Sequence, residues 1–222
     1  MTALRACGQE AGARRGEGGK TALLLVDFIN ELDFAHGEAL RPYAEAAARR
    51  TADVKRRLKA LQVPAIYAND NFGRWKSNFP DLVASCRASR SRGRELARLL
   101  APDQDDLSVL KPRHSAFYGT PLDFLLAELA VDRLVIVGLV TEMCVLFTAQ
   151  DAYVRKFEMW IPEDCVASVE PEVHARTLTH CRDVLGIDTR ASTEMKLEEL
   201  LARPTGAATD AASTTAAGCR AS

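Results

Sequence analysis

Leu23-Leu24-Leu25-Val26-Asp27 decides the reading of this chain. Four aliphatic residues in a row end on a carboxylate. Neighbouring residues of a strand point to opposite faces, so an unbroken apolar run marks a strand covered on both sides, as in a parallel sheet between helices. The same form recurs at Leu107-Ser108-Val109-Leu110, which runs into Lys111. It recurs again at Leu134-Val135-Ile136-Val137, which runs through Gly138-Leu139-Val140-Thr141-Glu142-Met143 to Cys144. In open α/β sheets ligands bind at the carboxyl ends of the strands. A carboxylate, an ammonium and a thiol delivered to one such edge make a candidate nucleophilic site.

Outward from these runs, strands are expected at Thr21–Asp27, Ala65–Ala68, Leu107–Lys111, Arg133–Val137 and Phe157–Ile161, with a short sixth at Ile187–Thr189. Helical spacing of apolar residues predicts helices over Leu40–Gln62, Arg94–Leu100, Glu142–Lys156, Glu172–Leu185 and Thr193–Ala202. Another starts at Thr120-Pro121, with Thr120 as N-cap and Pro121 in the first helical position. The segment Asn69–Arg90 is polar, aromatic and irregular, and long for a passive connection. The alternation predicts an α/β fold, a three-layer α/β/α sandwich on a mostly parallel six-stranded sheet with right-handed crossovers. Residues 1–19 and 203–222 are small and polar without periodicity, and are expected to be disordered around one domain at 20–202.

Composition narrows the function. The 222 residues carry a formal net charge of -1, which offers nothing to nucleic acid or an anionic membrane. No apolar run approaches a membrane span and no signal peptide is evident, so a cytoplasmic protein is expected. The six cysteines are scattered without a Cys-x-x-Cys pair, which predicts reduced thiols rather than disulfides or structural zinc. His36, His114, His174 and His180 lack metal-ligand spacing and read as surface or loop histidines; no metal and no cofactor are expected.

Cys144 carries the sharpest chemistry. With Thr141 as N-cap it falls at the third helical position, where the helix dipole and free N–H groups would lower its pKa and hold an oxyanion. Asp27 and Lys111, ending buried strands, each need a partner and can serve each other. A buried, inert cysteine is the competing reading of Cys144. Phe72, Trp75 and Phe79 are candidates for a substrate wall, an oligomer contact or simply a packed loop. The absence of a glycine-rich turn after Asp27 excludes a dinucleotide-binding fold. A phosphoacceptor receiver domain is disfavoured because Lys111 precedes Thr141.

These segments together resemble the isochorismatase-like cysteine hydrolases, the superfamily of nicotinamidases and N-carbamoylsarcosine amidase. The resemblance rests on Ala22–Asn30, Lys111–Phe117 with Gly119–Asp123, and Gly138–Val145, followed by Ile161–Ser168, and spans about Thr21–Thr189. It implies strand order 3-2-1-4-5-6 and a catalytic triad of Asp27, Lys111 and Cys144. It implies a cis peptide between Leu139 and Val140, with the N–H groups of Val140 and Cys144 as oxyanion hole. Phe28, Asn71, Phe72, Trp75 and Phe117 are then expected near the substrate. The implied activity is hydrolysis of a C–N bond (amide, carbamoyl or imide) in a small molecule through a thioester, by a homo-oligomer. The same fold in a non-catalytic binding or assembly protein, or in a vinyl-ether hydrolase of isochorismatase type, is the alternative. Asp70-Asn71-Phe72 departs from the Asp-x-His metal motif of nicotinamidases, which argues against that substrate and against a metal.

Overall fold

A computed structural model describes residues 20–202 except 74, 77 and 89. The expected disordered ends, with Cys7 and Cys219, lie outside the described residues. The sheet is parallel. β1 (Lys20–Val26) lies between β2 (Ala65–Asp70) and β4 (Val131–Leu139), and β3 (Leu107–Lys111) flanks β2. β4 is long enough to take two short strands end to end on its far side. Its first half pairs with β5 (Glu158–Trp160), and Gly138 and Leu139 pair with β6 (Val166–Ala167).

Helices cover both faces. Leu23, Leu25, Tyr67, Val135 and Val137 pack on one side with α1 (Gly37–Ala60), α2 (Phe79–Arg87), α3 (Arg94–Leu99) and α7 (Leu197–Ala202). Ala22, Leu24, Val26, Ile66, Val109, Leu134 and Ile136 pack on the other with α4 (Leu122–Glu128), α5 (Leu146–Val154) and α6 (Pro171–Asp183). The alternation of one strand between two cores is the three-layer α/β/α sandwich read from its unbroken apolar runs. At about 25 cal/mol per Å² of apolar surface, these two cores supply the main favourable term of folding.

Four expectations need correction. The sixth strand is Val166–Ala167, whereas Ile187–Thr189 is reduced to a single bridge between Asp188 and Trp160. Three residues beside a three-residue β5 have too little ladder to extend. The segment Asn69–Arg90 contains α2, whose first turn is capped by the Asn78 carbonyl oxygen accepting from the Asp81 N–H at 2.9 Å. Leu82 and Cys86 of that helix are buried, at the i,i+4 spacing a helix needs to present one face. Pro121 sits at the N-cap of α4 rather than inside it, and Thr120 Oγ1 accepts from Leu122 N–H at 3.2 Å. The last helix begins only at Leu197. No helix among the described residues is long and apolar enough to cross a membrane.

Candidate active site

The strand ends set the geometry. Register places Val26 level with Ala68 and Gly138, and Asp70 level with Lys111, so β1, β2, β3 and β4 finish at one edge. Asp27 and Lys111 are separated there by β2, about 10 Å of sheet at the usual strand spacing. The four-carbon stem of a lysine can cross that gap. Lys111 Nζ reaches Asp27 Oδ2 at 2.7 Å, and its side chain is fully buried. β2 contributes to the crossing: the Asp70 N–H donates to Asp27 Oδ1 at 2.7 Å, and the Asp70 carboxylate stands 3.9 Å from Lys111 Nζ. Asp27 itself leaves β1 at φ 53°, a left-handed conformation that Asp tolerates better than most residues.

β4 delivers the thiol. At Gly138 the backbone passes so close to Val26 that any Cβ would collide with the Val26 carbonyl, and its φ of 148° is one only glycine takes readily. The Leu139–Val140 peptide is cis. A π-helical turn, Thr141–Val145, then leads into α5. Such widened turns are rare and concentrate at functional sites. Cys144 lies in this turn, nearly buried, with Sγ 3.5 Å from Lys111 Nζ. The turn is anchored from outside. Thr141 Oγ1 meets His174 Nδ1 at 2.9 Å, and Ser168 Oγ donates to the Glu142 carboxylate at 2.9 Å.

Two expectations change here. Thr141 is not an N-cap: its hydroxyl is taken up by His174, and Val140 occupies the cap position. The thiol pKa is raised, not lowered. Burial pushes it up to about 12, and the Asp27 charge adds to this against the opposing pull of Lys111. The surroundings of Cys144 therefore favour its neutral thiol. Burial also raises the Asp27 pKa, and Lys111 offsets this only in part. For Lys111, burial favours the neutral amine, but Asp27, Cys144 and Asp70 together outweigh it and raise the pKa. The surroundings thus favour the ammonium of Lys111 and the protonated form of Asp27.

The other named positions divide. Asn71 is buried at the end of β2, its N–H donating to Lys111 O at 3.0 Å and its side-chain oxygen accepting from Gly73 N–H at 2.9 Å. Phe72 and Trp75 are exposed, Trp75 at 80%. Phe28 and Phe117 belong to the two cores and present almost no surface. Phe117 is held there under the Arg155 guanidinium, 4.7 Å from the ring centroid. A cavity of about 300 Å³ opens on the α1 face between Tyr43, Arg50, Ser168 and His174, and none of Asp27, Lys111 and Cys144 lines it.

His114, expected to be an ordinary loop histidine, stands against the thiol: its Nδ1 is 3.6 Å from Cys144 Sγ. Only its place three residues after Lys111 hinted at this. Among the described residues one carboxylate group, Asp103, Asp105 and Asp106, is tight enough to hold a cation. Lys55 and Lys59 already occupy it.

The Isochorismatase domain model matches residues 21–191. The chain is 38% identical over 164 residues to the uncharacterized isochorismatase family protein YaaI of Bacillus subtilis (strain 168), covering 74% of this chain and 90% of that one. It is 32% identical over 95 residues to the ureidoacrylate amidohydrolase RutB of Enterobacter sp. (strain 638), covering 43% of this chain and 41% of that protein. Among solved structures, N-carbamoylsarcosine amidase from Thermoplasma acidophilum superposes with a TM-score of 0.62 at 29% identity, over 80% of this chain and 99% of that one. The chain belongs to the isochorismatase family.

Proposed function

We propose that this isochorismatase-family chain is a cysteine hydrolase that cleaves a C–N bond of amide, carbamoyl or imide type in a small molecule. One observation carries the reading: Lys111 Nζ lies 2.7 Å from Asp27 Oδ2 and 3.5 Å from Cys144 Sγ at a single sheet edge. Asp27 takes the thiol proton as Sγ attacks the substrate carbonyl. Lys111 carries the positive charge that steadies the forming thiolate. The oxyanion accepts from the N–H groups of Val140 and Cys144. Asp27 hands its proton to the departing nitrogen, and the C–N bond breaks to leave a thioester. Water then hydrolyses the thioester.

The raised pKa values of the thiol and of Asp27 support this order of events. A neutral thiol beside a proton-hungry carboxylate holds its proton until a carbonyl arrives to accept the sulfur. The names amidohydrolase and amidase borne by two relatives point to the same bond class. The reading includes a homo-oligomer, with exposed Phe72 and Trp75 offered at its contacts.

The test is release of ammonia or amine from a panel of small amides, ureido acids and imides. Turnover of at least one panel member is expected, and is expected to vanish in Cys144→Ala. Iodoacetamide is expected to stop turnover in step with alkylation of Cys144. Undiminished turnover in Cys144→Ala, or in fully alkylated protein, would remove the thiol from the chemistry.

A further inference from the structure

Deacylation needs a base for the water that attacks the thioester. Asp27 is 5% exposed and Lys111 fully buried, so neither offers solvent much surface. A water attacking the thioester comes from solvent and has to give its proton to a group near the sulfur. His114 is such a group. It is exposed, in the loop that leaves β3. Its ring rests against Phe147, the centroids 5.6 Å apart, and Nδ1 faces Sγ at 3.6 Å. The imidazole is thus braced by a ring from α5 while its edge points at the reacting atom.

We propose that His114 is a catalytic residue of the second half-reaction, the general base that activates water against the thioester. The proposal rests on the thioester reading above. A water O–H proton passes to His114 Nδ1 as the oxygen bonds to the acyl carbon. The tetrahedral intermediate collapses with cleavage of the C–S bond, and sulfur leaves as a thiolate beside Lys111. The Nδ1 proton then moves to Sγ and restores the neutral thiol. The carboxylic acid product loses its own proton to solvent. The N···S contact carries the second of these transfers and keeps Nδ1 close to the acyl group for the first. Asp27 handles the proton of the first half-reaction and His114 that of the second.

p-Nitrophenyl acetate separates the halves, because its leaving group departs as an anion without a proton donor. Wild type is expected to acetylate Cys144 and turn over. His114→Gln is expected to show the same burst of nitrophenolate, followed by steady-state turnover slowed about 10²-fold, the lower range for a general base. Intact mass is expected to show the acetyl group accumulating on Cys144 in that variant, and added imidazole to restore the steady rate. An unchanged steady rate in His114→Gln, or a burst and steady rate that fall together without accumulated acetyl-enzyme, would overturn the proposal. Failure of the thioester reading looks different: Cys144→Ala would then turn over as wild type does, and no acetyl group would appear on Cys144 in any variant.

Discussion

The two ends of β3 each hold a lysine against aspartates, and they behave in opposite ways. Before the strand, Lys55 from α1 reaches Asp106 Oδ2 at 2.5 Å and Asp103 Oδ2 at 3.2 Å. It also donates to Ala101 O at 3.4 Å and lies 5.4 Å from the Tyr67 ring centroid. Lys59 adds contacts to Asp103 and Asp105. Here the charges relieve one another. The hydrogen bond from Lys59, chiefly, holds the Asp103 carboxyl below its ordinary value against the effect of burial. After the strand, Lys111 faces Asp27 at a similar distance, yet the Asp27 pKa is raised, because burial exceeds what one ammonium returns. A wet, multiply paired carboxylate makes a clamp between α1 and the loop entering β3. A dry carboxylate facing one ammonium keeps a raised pKa, as the base role proposed for Asp27 requires. Desolvation, not the identity of the pair, separates structure from chemistry.

The contrast can be broken from either end. The largest effect is expected from Asp27→Ala: turnover on any panel substrate falls by about 10³-fold or more, within the range for losing a general base. The urea midpoint is expected to show the folded domain intact. Collapse of the fold instead would make Asp27 a structural residue like those of the clamp. Lys55→Ala should do the reverse. It removes a nearly buried ammonium from two carboxylates, and a loss of about 2 kcal/mol is expected from urea unfolding, with turnover per folded molecule unchanged.

Acid sharpens the comparison. The folded-state pKa of Asp103 is depressed, so the stability it contributes is present above the ordinary value of 3.8 and is lost as pH falls through the folded value. Asp27 has the opposite sign. Its raised folded pKa favours the protonated form, so its contribution is present below 3.8 and is lost as pH rises through the folded value. Urea midpoints measured between about pH 5 and pH 2 are expected to decline less steeply in Asp103→Asn than in wild type. Asp27→Asn is expected not to flatten that decline. The smallest effect belongs to Lys59→Ala. Its ammonium is exposed, and any difference in urea midpoint is expected to disappear in high salt.

Much of this was legible in the residues. The unbroken runs at Leu23–Val26 and Leu134–Val137 announced strands covered on both faces, and each was followed by the group that reaches the site. The helix at Phe79–Arg87 was missed although Asn78, Pro80, Leu82 and Cys86 carried its cap and buried face; the surrounding polar and aromatic residues masked a short pattern. The short strand at Val166–Ala167 had no such pattern. It exists because β4 outruns β5 and leaves two residues, Gly138 and Leu139, in need of partners.

Order along the chain and strand-end position were enough to nominate Asp27, Lys111 and Cys144, because a parallel sheet brings strand ends to one edge whatever the rest of the fold does. The contact of His114 with the sulfur, the capture of Thr141 by His174 and the upward shift of the thiol pKa were decided only by tertiary structure. Each depends on which distant segments close over a group and exclude water from it, and one-dimensional spacing does not measure burial.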